Sequence, residues 1–168
     1  VTISKEQHAH AEKITADLPV TILLQDYRHV TGTFDKVVSV GMFEHVGYKN
    51  YREFMQVANA KLKDNGLFLL HTIADFFNTK TCDVWIAKYI FPNGNVPGNL
   101  HIEQAANGIF HTEDLHNFGL DYDKTLMAWH ANFNNNWHQI KDQYDTRFFR
   151  MWNYYLLQCA GSFRAKVN

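Results

Sequence analysis

Two apolar, β-branched runs separated by one helical stretch constrain this chain most. FDKVVSVGM (34–42) reads as a strand, YKNYREFMQVANAKL (48–62) as a helix and LFLLHTI (67–73) as a second strand. Tyr51, Phe54, Met55, Ala58 and Leu62 recur at spacings of three and four, which gives that helix one buried stripe. KDNG (63–66) ends it, with Gly66 suited to a left-handed turn. Val37, Val38 and Val40 leave little room for polar side chains, the pattern of a parallel strand covered on both faces. Strand, helix and strand at this spacing predict a parallel, three-layer α/β sheet.

Ligands of such sheets sit outside the C-terminal ends of the strands. Three segments fall there: Gln25-Asp26-Tyr27, Glu44-His45 and His71-Thr72-Ile73. Glu44 lies in GMFEHVG (41–47), where the apolar run stops and glycine permits a turn. It either caps the helix near residue 48 or faces a ligand. Upstream, VTIS is strand-like, Ser4 is placed to cap a helix over SKEQHAHAEKITADL, and VTILL (20–24) reads as another strand. The second half differs. FPNGNVPGN (91–99) is a loop flanked by short helices around 82–90 and 101–106. Two long helical patterns follow, one carrying Tyr122, Leu126, Trp129, Phe133, Trp137 and Ile140, the other Phe148, Trp152, Tyr155, Cys159 and Phe163. Residues 1–168 therefore read as a single partial domain, with 1–73 as sheet-and-helix core and 74–168 as a mostly helical insert over the ligand edge.

Composition narrows the function classes. Sixteen Lys and Arg against seventeen Asp and Glu leave a net charge of −1, so no global field attracts nucleic acid. Ten His invite a metal reading, but there is no HExxH, and HIE (101–103) and HTED (111–114) do not converge by spacing, so no metal is expected. Two distant cysteines, Cys82 and Cys159, make no disulfide framework and point to a reducing, cytoplasmic compartment. No apolar run approaches the roughly 18 residues of a membrane span. The last helix carries Arg147, Arg150, Arg164 and Lys166 against Asp145, locally +3, with aromatic residues between them. It reads either as a core helix with a solvated face or as a contact with an anionic bilayer.

The blocks FDKVVSVGMFEHVGYKNY, LKDNGLFLLHTI, KYIFPNG, HNFGLDYDKTLMAW and RMWNYYLLQCAGSFRA closely resemble the cyclopropane-fatty-acyl-phospholipid synthases over nearly the whole sequence. The resemblance implies a class I S-adenosylmethionine methyltransferase fold, Rossmann-like, with a helical lipid-binding insert. It implies methylene transfer from S-adenosyl-L-methionine to the double bond of an unsaturated phospholipid acyl group. A carbocation forms, loses a proton and closes to a cyclopropane. The base implied is a bound bicarbonate, whose holders match Glu44, His71, the backbone at Ile73, and Tyr122, with a further holder, a cysteine, expected upstream. Cofactor contacts implied are Thr2 and Gln7 near the ribose, and Asp26 and Tyr27 near the adenine. His45 is expected to orient its neighbour.

The family's glycine-rich loop would precede Val1 and its closing strands would follow Arg164. The chain is thus expected to be truncated at both ends and weak or silent alone. The resemblance further implies a cytoplasmic enzyme peripheral at the inner membrane surface. A homodimer is among the assemblies this reading allows. The alternatives kept open are a fatty-acyl C-methyltransferase that closes no ring and a non-catalytic lipid-binding fragment.

Overall fold

The computed structural model describes residues 1–77 and 82–166. These residues fall into two compact units, one built from Val1–Val37 with Gln56–Leu69, the other from Val38–Met55 with Leu70–Asn168.

In the first unit Ser4 accepts a hydrogen bond from the Gln7 amide at 3.2 Å and starts α1, Lys5–Ile14. Because the backbone turns into α1 at Ser4, VTIS offers little to a sheet. It forms one parallel bridge, Thr2 to Leu24, with the Thr2 amide on the Leu23 carbonyl and the Gln25 amide on the Thr2 carbonyl. The strands expected at VTIS and VTILL are reduced to that bridge.

Two strands form the sheet among the described residues, β1 at Phe34–Val40 and β2 at Leu62–His71. They run parallel, because the Phe34 amide meets the Lys61 carbonyl at one end and the Gly41 amide meets the His71 carbonyl at the other. Seven residues of β1 thus lie beside ten of β2. The excess is taken up at KDNG. Asn65 has φ 61°, whereas Gly66 is needed for space. A Cβ there would lie 2.8 Å from a Leu62 methyl and 2.9 Å from the Lys63 carbonyl oxygen. KDNG thus lies inside β2 rather than forming a turn after the helix, and its left-handed residue is Asn65, not Gly66; asparagine tolerates that region better than most side chains.

The expected double cover of the strands is also corrected. Val38 and Val40 are 64% and 63% exposed, and Leu67 and Leu69 on β2 are exposed as well. Ser39 faces the other way and is buried. The period-two alternation thus leaves an apolar set bare where a three-layer sheet would cover it.

Between the strands lie α2 (Phe43–Val46), a 3-10 turn at Tyr48–Asn50 and α3 (Tyr51–Ala60). The predicted stripe of α3 is the buried one, at Tyr51, Phe54, Met55 and Ala58, while Leu62 begins β2. In the second unit α4 (Val84–Tyr89) is capped by Asp83, and α5 (Asn99–Ala106) starts at Gly98, whose amide donates to His101 Nδ1. Arg52 donates to the carbonyls of Ala105 and Asn107 at the end of α5.

The two long helical patterns become α6 (Gly119–Ile140) and α7 (Thr146–Arg164). They pair as an antiparallel hairpin. Tyr122 meets Phe163, Phe133 meets Phe149 and Trp152, and Arg164 forks onto the Asp123 carboxylate with two bonds of 2.9 Å. Leu126, Leu156, Ala160 and Phe163 form the buried centre, and Ile73, Tyr122, Tyr155 and Cys159 pack against it. No helix among the described residues is long and apolar enough to cross a membrane.

Candidate active site

Gly41 takes φ 63° directly after β1 and lets the backbone turn into α2. Phe43 then anchors that turn. It is fully buried, stacked on Tyr51 at 4.2 Å and edge-on to Phe54. Glu44 is held next to this anchor and is itself 8% exposed. Its Oε1 accepts from the Ile73 amide at 2.8 Å, while its Oε2 is buried with no hydrogen-bond partner among the described residues. A buried carboxylate oxygen without a donor is costly, so the position calls for one. Glu44 does not cap the helix near residue 48. Its carboxylate reaches across the end of β2 instead.

Asn95 belongs to this neighbourhood, although nothing in the sequence reading singled it out. Its amide donates to the Glu44 carbonyl at 2.9 Å, its carbonyl accepts from the Tyr51 hydroxyl, and its Oδ1 is a second buried oxygen without a partner. The signal available was the neighbouring glycine. Gly94 is buried, and a Cβ there would lie 3.1 Å from that of Phe91. His45 is exposed and sits edge-on to the Phe91 ring at 5.7 Å rather than bonding its neighbour Glu44.

Tyr122 stands in the first turn of α6, half-buried between Trp129 and Phe163. Burial, helped by Cys159 and by the Glu44 charge, pushes its phenol above the ordinary value. Burial likewise lifts Tyr155 to about 12 and Cys159 to about 11, and burial with the charges of Glu44 and Asp75 lifts Tyr51 to about 12. The phenols near Glu44 thus stay protonated and able to donate at neutral pH. Glu44, Ile73 and Tyr122 therefore share one environment. The Ile73 amide, expected to hold an anion, is bonded to Glu44. His71 uses its carbonyl to receive Gly41, and its side chain is exposed.

The expected cofactor residues gather separately, within the first unit. Thr2 Oγ1 donates to Gln7 Oε1 at 2.8 Å, and the Thr2–Leu24 bridge sets Thr2 beside Gln25, whose amide donates to the Thr2 carbonyl. Asp26 caps the 3-10 turn Tyr27–His29 through the Arg28 amide. Its two oxygens also receive the Arg28 guanidinium at 2.9 and 2.6 Å, which holds its carboxyl down at about 2. The Arg28 guanidinium lies 5.7 Å from the Tyr27 ring centre. Among the described residues no three His, Cys, Asp or Glu side chains gather as a metal site would require.

The family model described as mycolic acid cyclopropane synthetase matches residues 1–168. The chain belongs to this family. It is 53% identical to the cyclopropane-fatty-acyl-phospholipid synthase of Escherichia coli (strain K12), over 99% of this chain and 44% of that enzyme. It is 33% identical to a probable fatty acid methyltransferase of Pseudomonas putida, over 97% of this chain and 44% of that protein. Among solved structures, mycolic acid cyclopropane synthase CmaA1 complexed with SAH and CTAB superposes with a TM-score of 0.87 at 27% identity, covering 98% of this chain and 64% of that one. The fold is thus the α/β class I methyltransferase fold of these synthases. This chain spans less than half the length of these two curated relatives.

Proposed function

We propose that this polypeptide carries the acceptor side of a cyclopropane-fatty-acyl-phospholipid synthase. The enzyme acts from the cytoplasmic side at the inner membrane surface on unsaturated phospholipid acyl chains. The observation that carries the reading is the half-satisfied carboxylate of Glu44: buried, fixed through one oxygen by the Ile73 amide, and open through the other. In the net reaction the methyl–sulfur bond of S-adenosylmethionine breaks as a carbon–carbon bond forms at the alkene. A proton then leaves the new methyl, and a second carbon–carbon bond closes the ring.

Bicarbonate, when bound, would supply the base for that proton, and the fit rests on the unpartnered Glu44 oxygen, since the Ile73 amide is already bonded to Glu44. Its O–H would be a donor that the free Glu44 oxygen lacks, and the Tyr122 hydroxyl and the His71 ring would be the donors for its other oxygens. Glu44 orients the anion without competing for the proton. Tyr122, Tyr155 and Phe163 pack into one aromatic cluster, whose ring faces would favour a developing cation. S-adenosylmethionine supplies the methyl group. Thr2, Gln7 and Tyr27 would hold its ribose and adenine, and Asp26 would accept from the adenine amino group once Arg28 yields.

The second reading, acyl methylation without ring closure, is favoured by the similarity to the Pseudomonas putida protein. One assay separates the two. A full-length synthase containing this polypeptide is incubated with monounsaturated phospholipid vesicles and S-adenosylmethionine, and the released fatty acids are analysed by gas chromatography and mass spectrometry. Gain of one CH₂ with loss of the double bond supports the proposal. A methylated acyclic product supports the second reading, and absence of product contradicts both.

A further inference from the structure

α4 and the outer face of α7 form a surface the reaction itself does not need. Trp85 meets the Tyr154 ring edge-on at 4.6 Å and ties the two helices together. With Trp85 and Tyr89 turned to α7, Val84 and Lys88, one turn apart, face outward, and Val84 is 82% exposed. On α7, Arg147, Arg150, Tyr154 and Leu157 recur at spacings of three and four and are all exposed, Tyr154 by 52% and Leu157 by 46%. Apolar and cationic groups thus share one face, where an ordinary solvated helix carries polar ones.

The charges are the second observation. Lys88 Nζ lies 5.0 Å and the Arg147 guanidinium 5.8 Å from the centre of the same Tyr89 ring. Hydrogen bonding from Lys88, its charge, and Arg147 hold the Tyr89 phenol below its ordinary value. Among the described residues no carboxylate pairs with Lys88, Arg147 or Arg150. The nearby acids are engaged: Asp83 binds the Trp85 and Ile86 amides, and Asp145 binds the Phe148 amide. These cations around an aromatic ring, beside exposed Val84, Tyr154 and Leu157, complement a layer of lipid phosphates above acyl chains.

We propose that this α4–α7 face is the surface by which the enzyme docks on an anionic bilayer, with Lys88 and Arg147 astride a lipid phosphate at Tyr89. The proposal rests on the lipid-modifying reading for its purpose, but not for its test. Sedimentation with vesicles containing phosphatidylglycerol measures binding by the full-length protein. Lys88→Glu with Arg147→Glu is expected to weaken binding at least tenfold, an effect that fades in high salt. A second variant, Val84→Asp with Leu157→Asp, is expected to weaken binding in high salt as well. Turnover on detergent-dispersed substrate should stay within twofold of the parent for both, which also shows that they fold. Vesicle affinity within twofold of the parent for both variants would overturn the proposal. So would protection of Lys88 from amine-reactive labelling in the lipid-free full-length protein, since the remaining polypeptide would then cover the face. Parent protein that binds vesicles through this face yet makes no product would sink the enzymatic reading and leave the surface standing.

Discussion

Two strand-end carboxylates, Glu44 and Asp26, are equal candidates for ligand binding by sequence, and the fold treats them oppositely. Among the described residues, buried Glu44 keeps one oxygen unpartnered and has the Ile73 amide on the other. Asp26 is partly exposed and has both oxygens on Arg28. The first environment calls for a donor. The second is complete without a ligand and must open to receive one. A sequence position shows that an acid stands at a strand end, but only its neighbours show whether it is waiting or satisfied.

The largest expected effect breaks the contrast at Glu44. In a full-length synthase, Glu44→Gln keeps an oxygen for the Ile73 amide but turns the other group into a donor. Turnover should fall by roughly 10²–10⁴ while calorimetry shows cofactor affinity unchanged. Unchanged turnover would remove Glu44 from the chemistry.

Next in size is the wall behind Tyr122. Leu156 is fully buried, and Leu156→Ala should lower stability by about 2–5 kcal/mol in urea unfolding. A loss under about 1 kcal/mol would show that the α6–α7 core is not what holds Tyr122 in place.

The two regions should also fail at opposite ends of the pH scale. The thiol of Cys159 is raised to about 11 and the phenol of Tyr155 to about 12, so the fold favours their neutral forms. That contribution is complete below the unfolded values, about 8.5 for the thiol and about 10 for the phenol. It is lost as pH rises through about 11 and about 12. Asp26 is depressed to about 2, so its contribution is present above about 4 and lost as pH falls through about 2. Near-ultraviolet circular dichroism should report the aromatic hairpin melting on the alkaline side, and carboxyl NMR should show Asp26 titrating late on the acid side.

The smallest effect sharpens the contrast at Asp26. Arg28→Met removes a partner that the proposed adenine contact would have to displace, and an exposed ion pair of this kind is worth about 0.2–1 kcal/mol. Cofactor affinity should tighten by up to about fivefold. Weaker binding would mean that Arg28 holds Asp26 ready rather than closed.

Much of this arrangement is legible in the residues alone. The α3 stripe at Tyr51, Phe54, Met55 and Ala58 and the aromatic stripes of α6 and α7 are readable because a period of 3.6 with large side chains has few other uses. The ladder between Phe34 and His71 follows from βαβ spacing. What cannot be read depends on partners outside the local pattern. Whether Val38 and Val40 are covered is decided by what packs on them, not by their own alternation. Asn95 joins Glu44 through backbone bonds, which no side-chain pattern records. The capture of Asp26 by Arg28 uses a guanidinium two residues away that reads as a simple turn charge. In KDNG the left-handed conformation falls to Asn65, because Gly66 is required for its missing side chain.

The central claim is that the free oxygen of Glu44 holds a hydrogen-bond-donating anion. It is tested most directly by titrating ¹³C-labelled bicarbonate into a full-length synthase and its Glu44→Gln variant, and following the bound carbon resonance by NMR. The account predicts saturable binding in the parent and at least tenfold weaker binding in the variant. Equal binding in both, or none in either, would contradict it.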